Sequence, residues 1–239
     1  MKYMGSKNRI SKHLAPIIQS YIRGDTKYYI EPFVGGANMI DKIIHPNRVG
    51  LDIHKELIAL LNQANQDTSV FPNHISEDEY LNVRDNKQNY PDWYVGLVGF
   101  CSTYSARYFE GYARSFKSDG VTPRDMSNEG INNLKKQAPN LKGIKFYSKS
   151  FLDMKIDNIE NSVVYCDPPY KGSKEYKNKK FPHDEFYKWC IELSKNNTVL
   201  ISEYSMPSEF ECVWNKEVNS SLTKDTGSKK NVEKLFIVK

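Results

Sequence analysis

The chain has 239 residues, of which 39% are hydrophobic and 26% are charged. This length fits one large domain, or one domain that carries a smaller inserted one, and the composition excludes an intrinsically disordered chain. The formal net charge of +5 is compatible with a polyanionic partner but does not prove one.

The sequence carries no signature of membrane insertion or metal binding. No apolar run approaches the length of a membrane span, and the first residues lack the apolar core of a signal peptide. The cysteines are widely spaced without a CxxC pair, which argues against a zinc site and a disulfide framework. A reducing cytoplasm is their natural setting, so we expect a cytoplasmic protein without membrane contact. The cysteines are Cys101, Cys166, Cys190 and Cys212.

The first 66 residues alternate between helix-like and strand-like patterns. In chain order they predict a helix at 11–23, a strand and glycine turn at 27–36, a helix at 37–45, a strand at 47–54 and a helix at 55–66. The order strand, glycine turn, helix, strand, helix is typical of a βαβ unit in a doubly wound sheet.

The alternation stops at residue 67 and resumes after residue 140. The intervening segment has weak strand signals and two helix-like stretches, and its part STYSARYFEGYARSFKSDG is dense in aromatic and basic residues. We therefore predict an α/β domain of residues 1–66 and 141–239, interrupted by a smaller, mostly helical domain of residues 67–140. The later elements are strands at 143–151, 162–167 and 197–202, a helix at 183–196, and a closing hairpin of 211–216 with 233–239.

Residues 163–172, VVYCDPPYKG, end a strand abruptly. Pro168 and Pro169 cannot donate backbone hydrogen bonds, and a residue that precedes proline, here Asp167, is held extended. The stretch therefore presents one carboxylate, several carbonyl groups and the ring of Tyr170 on a stiff backbone. An ordinary strand-ending turn uses the same residue types, so these residues alone leave both interpretations open.

A second polar strand end follows the first predicted strand. The stretch EPFVGG, residues 31–36, leads from that strand into a turn, and Asp52 ends the next strand. In doubly wound sheets, ligands bind at such strand ends, where glycines allow close approach and a carboxylate binds ribose hydroxyls. A tight turn with a solvated aspartate is the alternative. No GxxxxGK[ST] motif supports a P-loop nucleotidase.

Five motifs in one order resemble the Dam-like DNA adenine-N6 methyltransferases, which use S-adenosylmethionine. The resemblance covers nearly the whole chain outside the insert. The motifs are KYMGSK (2–7), IEPFVGG (30–36), LDIHKELI (51–58), DPPY (167–170) and TGSKKNVEKLFIV (226–238). The resemblance implies a Rossmann-like methyltransferase sheet in the discontinuous α/β domain and a target-recognition domain in the insert.

The resemblance also implies the roles of individual residues. The catalytic residues would be Asp167, Pro168, Pro169 and Tyr170. The cofactor-binding residues would be Tyr3, Lys7, Glu31, Phe33, Gly35, Gly36, Asp52, Phe151 and Asp167. S-adenosylmethionine would be the methyl donor, and the reaction would need no metal.

The chain departs from the family pattern at two places. The family loop usually reads F-x-G-x-G, whereas here Gly35 and Gly36 are adjacent and Ala37 takes the later position. Ser150 stands where many relatives carry an aspartate that holds the cofactor adenine, and Asp153 is a candidate substitute.

The DPPY motif has a chemical rationale for adenine. The exocyclic amine of adenine is a poor nucleophile because its lone pair is delocalised into the ring. The Asp167 carboxylate and the Pro168 carbonyl would each accept one amine proton and so free the lone pair, while Tyr170 stacks on the base. The base cannot be reached inside a duplex, so base flipping is implied.

The expected partner is double-stranded DNA, contacted by a monomer. The expected DNA-binding residues are Arg107, Tyr108, Arg114, Lys117, Lys229 and Lys230, each with a solvated surface position as the alternative. Two other functions stay open: methyl transfer to RNA or to protein glutamine, and a DNA-binding protein that has lost catalysis. The setting would be a bacterium or a phage in its host, in restriction-modification, phage protection or regulatory marking.

Overall fold

A computed structural model describes residues 1–155, 158–171, 181–219 and 230–239 of the chain. Within these residues, seven strands form one sheet with helices packed against it. The strands are β1 Tyr29–Glu31, β2 Arg48–Asp52, β3 Lys145–Ser148, β4 Val163–Cys166, β5 Thr198–Glu203, β6 Phe210–Asn219 and β7 Lys230–Val238. This mixture of sheet and helices confirms the predicted α/β class.

The strand order is β3-β2-β1-β4-β5-β7-β6, and the first five strands are parallel. Strand β1 pairs with β2 on one side and with β4 on the other, so the direction of winding reverses between β1 and β4. Ligands of doubly wound sheets bind outside the carboxyl ends of the strands at this reversal. The fold therefore points to the ends of β1, β2 and β4 as the functional edge.

The last two strands form the predicted hairpin. Strand β7 runs antiparallel to both β5 and β6, and Glu203 at the end of β5 lies opposite Lys234 of β7. This pairing brings the beginning of β7 to the carboxyl edge of the parallel strands. The hairpin thus adds side chains of its own to the functional edge.

The helices are α1 Ser11–Ser20, α2 Lys55–Gln66, α3 Glu77–Asp85, α4 Asp92–Cys101, α5 Met126–Leu141 and α6 His183–Ser194. All except α4 agree with the sequence prediction in type and approximate position. Helices α3 and α5 begin where the side chains of Ser76 and Asp125 accept backbone N–H bonds of the first turn, at 3.2 Å and 2.9 Å. Within the described part of the chain, no helix is long and apolar enough to cross a membrane.

Helix α4 has no counterpart in the sequence prediction. Its residues 95–101 are all buried, because α2 and α5 both pack against it. A helix that is covered on several sides shows no alternation of apolar and polar faces, and its sequence DWYVGLVGFC has none. The signal that identifies a surface helix is therefore missing from this one.

The predicted helix at residues 37–45 is wrong, because this segment contains only a 3-10 turn at Ile40–Lys42. Ala37 takes a left-handed φ of 56°, which is incompatible with a helix at that point. At the other end Ile43 is extended, and Pro46 disfavours helical backbone for the residue before it. Too few residues remain between these two interruptions for a stable helix.

The segment predicted as an insert shares its hydrophobic core with the sheet. Buried side chains of α2, α4 and α5 belong to one cluster that also contains Phe146 of β3 and Tyr165 of β4. The backbones of these helices come close, because a Cβ on Gly96 would lie 2.2 Å from the Glu56 carbonyl oxygen. The division into domains of 1–66 with 141–239 and of 67–140 stays a prediction.

We predict that Gly96→Ala destabilises the protein. The new methyl group would force α4 away from α2, and overpacking of this kind costs about 1–3 kcal/mol, more than the gain in helix propensity. Urea denaturation should show a clear loss in the free energy of unfolding. The control is Gly24→Ala, where a Cβ would meet nothing within 4 Å. Equal midpoints for the two variants would contradict the close helix contact.

Candidate functional site

Three carboxylates follow or end the strands at the functional edge. Glu31 is the last residue of β1, Asp52 is the last residue of β2, and Asp167 comes directly after β4. Pro168 disfavours helical backbone at Asp167, which follows the last residue of β4 directly. Pro168 is buried, whereas Pro169 is exposed.

Lys7 connects two of the acidic side chains in this region. Its Nζ lies 3.1 Å from Oδ1 of Asp167 and 3.4 Å from Oε2 of Glu233 on β7. All three side chains are largely enclosed, with exposed fractions of 9%, 21% and 13%. Lys7 begins a 3-10 turn at Lys7–Arg9, which the side chain of Ser6 caps by accepting the N–H of Asn8. The N-terminal segment is thereby tied to β4 and β7.

Tyr170 completes this charged cluster. Its hydroxyl donates a hydrogen bond to Oε2 of Glu233 at 2.8 Å, and the ammonium of Lys7 lies 4.3 Å from the centre of its ring. The ring of Tyr204 meets it edge-on at 4.6 Å. Glu203 holds the adjoining backbone, because its carboxylate accepts the N–H groups of Lys171 at 3.0 Å and of Tyr204 at 2.7 Å. Both the hydroxyl and the following backbone of Tyr170 are therefore fixed by carboxylates.

The electrostatics of the cluster follow from burial and charge. Burial raises the pKa of Asp167, and Lys7 opposes that shift. Burial alone would lower the pKa of Lys7, but Asp167 and Glu233 outweigh it, so this pKa is raised and Lys7 stays charged. Burial, followed by Asp167 and Glu233, raises the pKa of Tyr170 well above its usual value, which keeps its hydroxyl a donor.

The glycine pair lies against the ring of Tyr3. A Cβ on Gly35 would lie 2.9 Å from Cε1 of Tyr3, and a Cβ on Gly36 would lie 2.7 Å from its Cβ. Gly35 has a φ of 48°, and its N–H donates to Oδ2 of Asp52 at 3.2 Å. The adjacent glycines thus make a tight loop, in which Ala37 also takes a left-handed φ and is fully buried.

Asp52 organises the end of β2. It accepts the N–H of Gly35 and, through Oδ1, the N–H of His54 at 3.0 Å. Burial raises the pKa of Asp52, and these backbone bonds act against the shift. Glu31 is more deeply enclosed: it accepts the hydroxyl of Tyr29 at 2.7 Å, and burial raises its pKa well above the usual value.

The family model of the D12 class N6 adenine-specific DNA methyltransferases matches residues 3–197, which include the glycine loop, Asp52 and the DPPY stretch.

The chain belongs to this family.

Among solved structures, SMU.472, described as a methyltransferase and complexed with SAH, resembles the chain with 16% sequence identity and a TM-score of 0.40. The match covers 98% of this chain and 53% of the other, so this D12 class member spans about half the length of that neighbour. No curated protein matches the chain.

Two predicted cofactor residues of this D12 class member lie in an aromatic cluster. The rings of Phe33 and Phe151 are 5.4 Å apart, and both contact the rings of Phe181 and Phe186. Phe151 begins a 3-10 turn that follows β3. The cluster therefore joins the ends of β1 and β3 to α6.

Ser150 and Asp153 have a structural role in this turn. The Ser150 side chain accepts the N–H of Leu152, and the Asp153 carboxylate accepts the N–H of Ser150 at 3.0 Å, which makes a capping box. This bond occupies part of the carboxylate of Asp153, the candidate substitute for the family aspartate.

The predicted DNA-binding arginines are paired with acidic side chains of the same segment. Arg107 lies 3.5 Å from Glu110, and Arg114 forms an ion pair with Glu77. Lys117 is exposed in a hairpin turn at 115–124.

Tyr108 packs inward, because its ring lies 4.3 Å from that of His54 and Lys87 covers it at 4.5 Å. Lys229 lies outside the described residues, as does the side chain of Lys230. The role of these residues in DNA binding stays a prediction.

Glu203 and Glu233 belong to this cluster but are not among the residues predicted from the sequence motifs. Both glutamates lie in strands that also contain buried apolar residues, Leu200–Ile201 in β5 and Leu235–Phe236 in β7. Both glutamate side chains are largely buried. An acidic side chain at a strand position that should face the core is a signal for a paired or functional carboxylate. Within the described ranges, no group of three or more His, Cys, Asp or Glu residues could hold a metal ion.

We predict that Lys7→Met destabilises the protein more at pH 8 than at pH 5. Without the ammonium, the already raised pKa of Asp167 rises further. A carboxyl group whose pKa is raised by folding contributes stability below its unfolded pKa of about 4 and loses it as pH rises through the folded value. Removing one partner of a buried pair costs about 3 kcal/mol when the remaining group is ionised.

Urea denaturation at the two pH values measures this difference. The matched control is Lys12→Met, which removes an exposed lysine of α1. A loss for Lys7→Met that is equal at both pH values, or no larger than the control, would contradict the proposed role of Lys7 as the counter-ion of Asp167.

Proposed function

We propose that the protein is a site-specific DNA methyltransferase that moves a methyl group from S-adenosylmethionine to the exocyclic amine of a flipped adenine. The observation that carries the proposal is the position of the DPPY stretch. In a chain of the D12 class, Asp167 follows β4 at the point where the winding of the sheet reverses. Ligands of doubly wound sheets bind at this point.

The proposed chemistry uses Asp167 as a hydrogen-bond acceptor. A carboxylate has two oxygens and about four lone-pair sites, so the contact with Lys7 leaves capacity for one proton of the adenine amine. The Pro168 carbonyl accepts the other proton, and its stiff backbone needs no reorganisation. With both protons engaged, the nitrogen lone pair would attack the methyl group of the sulfonium in line. The carbon–sulfur bond would break, the sulfur would leave as the neutral thioether of S-adenosylhomocysteine, and the extra proton on nitrogen would be lost to water after the transfer. The ionised carboxylate also stabilises the positive charge that develops on nitrogen.

The proposed cofactor position lies along the ends of β1, β2 and β3. Asp52 would bind the ribose hydroxyls, and the tight loop at Gly35 would allow the methionine part to approach the backbone. Two exposed apolar side chains flank this edge, Ile53 at 78% and Leu152 at 52% exposure. Apolar surfaces of this kind suit the faces of the cofactor adenine ring. Methyl transfer from a sulfonium requires no metal.

The flipped adenine would enter beside Tyr170. A cavity of about 300 Å³ is lined in part by Lys171, Glu203, Tyr204 and Met206, and Tyr204 contacts the ring of Tyr170. A base placed here would stack on the ring of Tyr204, which contacts Tyr170, three residues after Asp167.

The DNA would be contacted by the segment 67–140. Its hairpin turn at 115–124 presents Lys117 between two exposed apolar side chains, Phe116 at 58% and Val121 at 78% exposure. A lysine can bind phosphate, and apolar side chains can insert between bases, so the hairpin has the chemistry of a DNA contact.

We propose that the protein acts as a monomer on double-stranded DNA in a bacterial cytoplasm. Its gene would belong to the bacterium or to a phage.

The first test is transfer of radiolabelled methyl from S-adenosylmethionine to unmethylated genomic DNA. We expect label on adenine with the intact protein. Asp167→Ala should lower the rate about 100-fold or more, because a preorganised acceptor is lost, while the Kd for DNA changes little. Cofactor binding without label on DNA would redirect the search to RNA or protein glutamine. Absence of cofactor binding would favour a DNA-binding protein that has lost catalysis.

The second test concerns the ribose contact. Asp52→Ala should raise the Kd for S-adenosylmethionine about tenfold or more and leave the Kd for DNA nearly unchanged, since a charged hydrogen bond contributes about 1.5–3 kcal/mol. Titration calorimetry measures both constants. Asp184→Ala, an exposed aspartate of α6, is the control. A larger effect on DNA than on the cofactor would refute the assignment.

A further inference from the structure

Glu233 is an acidic side chain on the inward face of β7. It lies two residues from Leu235, and in a strand such residues point to the same side. Leu235 is fully buried in the core, and the side chain of Glu233 is only 13% exposed. An enclosed carboxylate needs hydrogen-bond partners or a counter-ion, and those of Glu233 are Tyr170 and Lys7.

We propose that Glu233 is a positioning residue for the methyl-transfer reaction, holding the ring of Tyr170 in place and drawing the ammonium of Lys7 partly away from Asp167. This inference rests on the proposed function for its effect on catalysis. The contacts that carry it are the 2.8 Å bond from the Tyr170 hydroxyl to Oε2 and the 3.4 Å approach of Lys7 to the same oxygen.

The first part of the role is geometric. The loop after Asp167 fixes the backbone of Tyr170, but the ring can still turn about its side-chain bonds. The hydrogen bond to Glu233 restrains the far end of the ring, and Glu203 holds the next backbone N–H. A stacking ring that is held at both ends keeps the base amine at a fixed distance from Asp167, and displacement by about 1 Å can cost about 100-fold in rate.

The second part of the role is electrostatic. One ammonium faces two carboxylates, so the attraction of Lys7 is divided between Asp167 and Glu233. Without Glu233, Lys7 and Asp167 form a simple pair, and the Asp167 oxygens become weaker acceptors for the amine of the base. Lys7 therefore favours the ionised form of Asp167, while Glu233 draws part of the attraction of Lys7 to itself and leaves the Asp167 oxygens better able to accept from the substrate.

The groups that face Asp167 come from several elements. They are Lys7 from the N-terminal turn, Glu31 from β1, Tyr165 and Cys166 from β4, Tyr170 from the next loop, Glu203 from β5 and Glu233 from β7. Among these carboxylates, Glu233 also forms an ion pair with Lys7. Its removal takes away a negative charge near Asp167 and leaves Lys7 to pair with Asp167 alone. The loss of this negative charge lowers the pKa of Asp167.

The experiment compares Glu233→Gln and Glu233→Ala with the intact protein. Glutamine keeps an acceptor for the Tyr170 hydroxyl but no charge, and alanine removes both. We expect kcat to fall about tenfold for glutamine and about 100-fold for alanine, with the KM for S-adenosylmethionine changed less than about twofold. The acid limb of the kcat–pH profile should move to lower pH in Glu233→Gln.

A second readout does not depend on activity. The protein is labelled with 3-fluorotyrosine, and the ¹⁹F resonance of Tyr170 is assigned by its disappearance in Tyr170→Phe. This resonance should move in Glu233→Gln and stay in place in Glu211→Gln, which changes an exposed glutamate of β6 in the same hairpin. The control should also keep the kcat and the pH profile of the intact protein.

Three outcomes would overturn the inference. They are a kcat within about twofold of the intact protein in Glu233→Ala, a rate loss that only follows a loss of folded protein, and a Tyr170 resonance that does not respond to Glu233→Gln. Absence of methyl transfer by the intact protein would instead reject the proposed function. In that case the resonance alone decides whether Glu233 positions Tyr170.

Discussion

The ammonium of Lys7 is the interaction on which the site depends. Asp167 and Glu233 come from β4 and β7, two strands that do not pair directly, and both carboxylates are largely removed from water. Two such charges repel each other, and a cation that contacts both offsets this repulsion. Lys7 supplies it from the N-terminal turn, so three distant parts of the chain are fixed by one buried charge.

The ends of β1 and β2 depend on a different constraint, the space around two glycines. Tyr3 lies against Gly35 and Gly36 at distances that leave no room for a side chain. Asp52 then accepts the N–H of Gly35, which joins the end of β2 to the loop after β1. The adjacent glycines, which depart from the usual family pattern, thus pack against Tyr3, a residue of the chain's first motif.

The segment 67–140 is connected to the end of β2 by packing. His54 follows Asp52, and its ring contacts Phe100 of α4 and Tyr108 of the next loop. Helices α2, α4 and α5 share one core with the sheet, and the ring of His54 extends their packing to the residues after β2. Close packing of this kind transmits displacement, since protein interiors have few voids to absorb it.

The sequence by itself determined the sheet, the order of most helices and the identity of the strand-end residues. Strands such as Val163–Cys166 and the DPPY stretch have strong local patterns, because alternation, proline and glycine act on neighbouring residues. It did not determine α4, whose burial erases the helical pattern, or the short turn at Ile40–Lys42, where Ala37 is left-handed. Only the tertiary structure brought Glu233 to Tyr170 and Glu203 to Lys171, because these partners lie 63 and 32 residues apart along the chain and the local sequence does not specify such contacts.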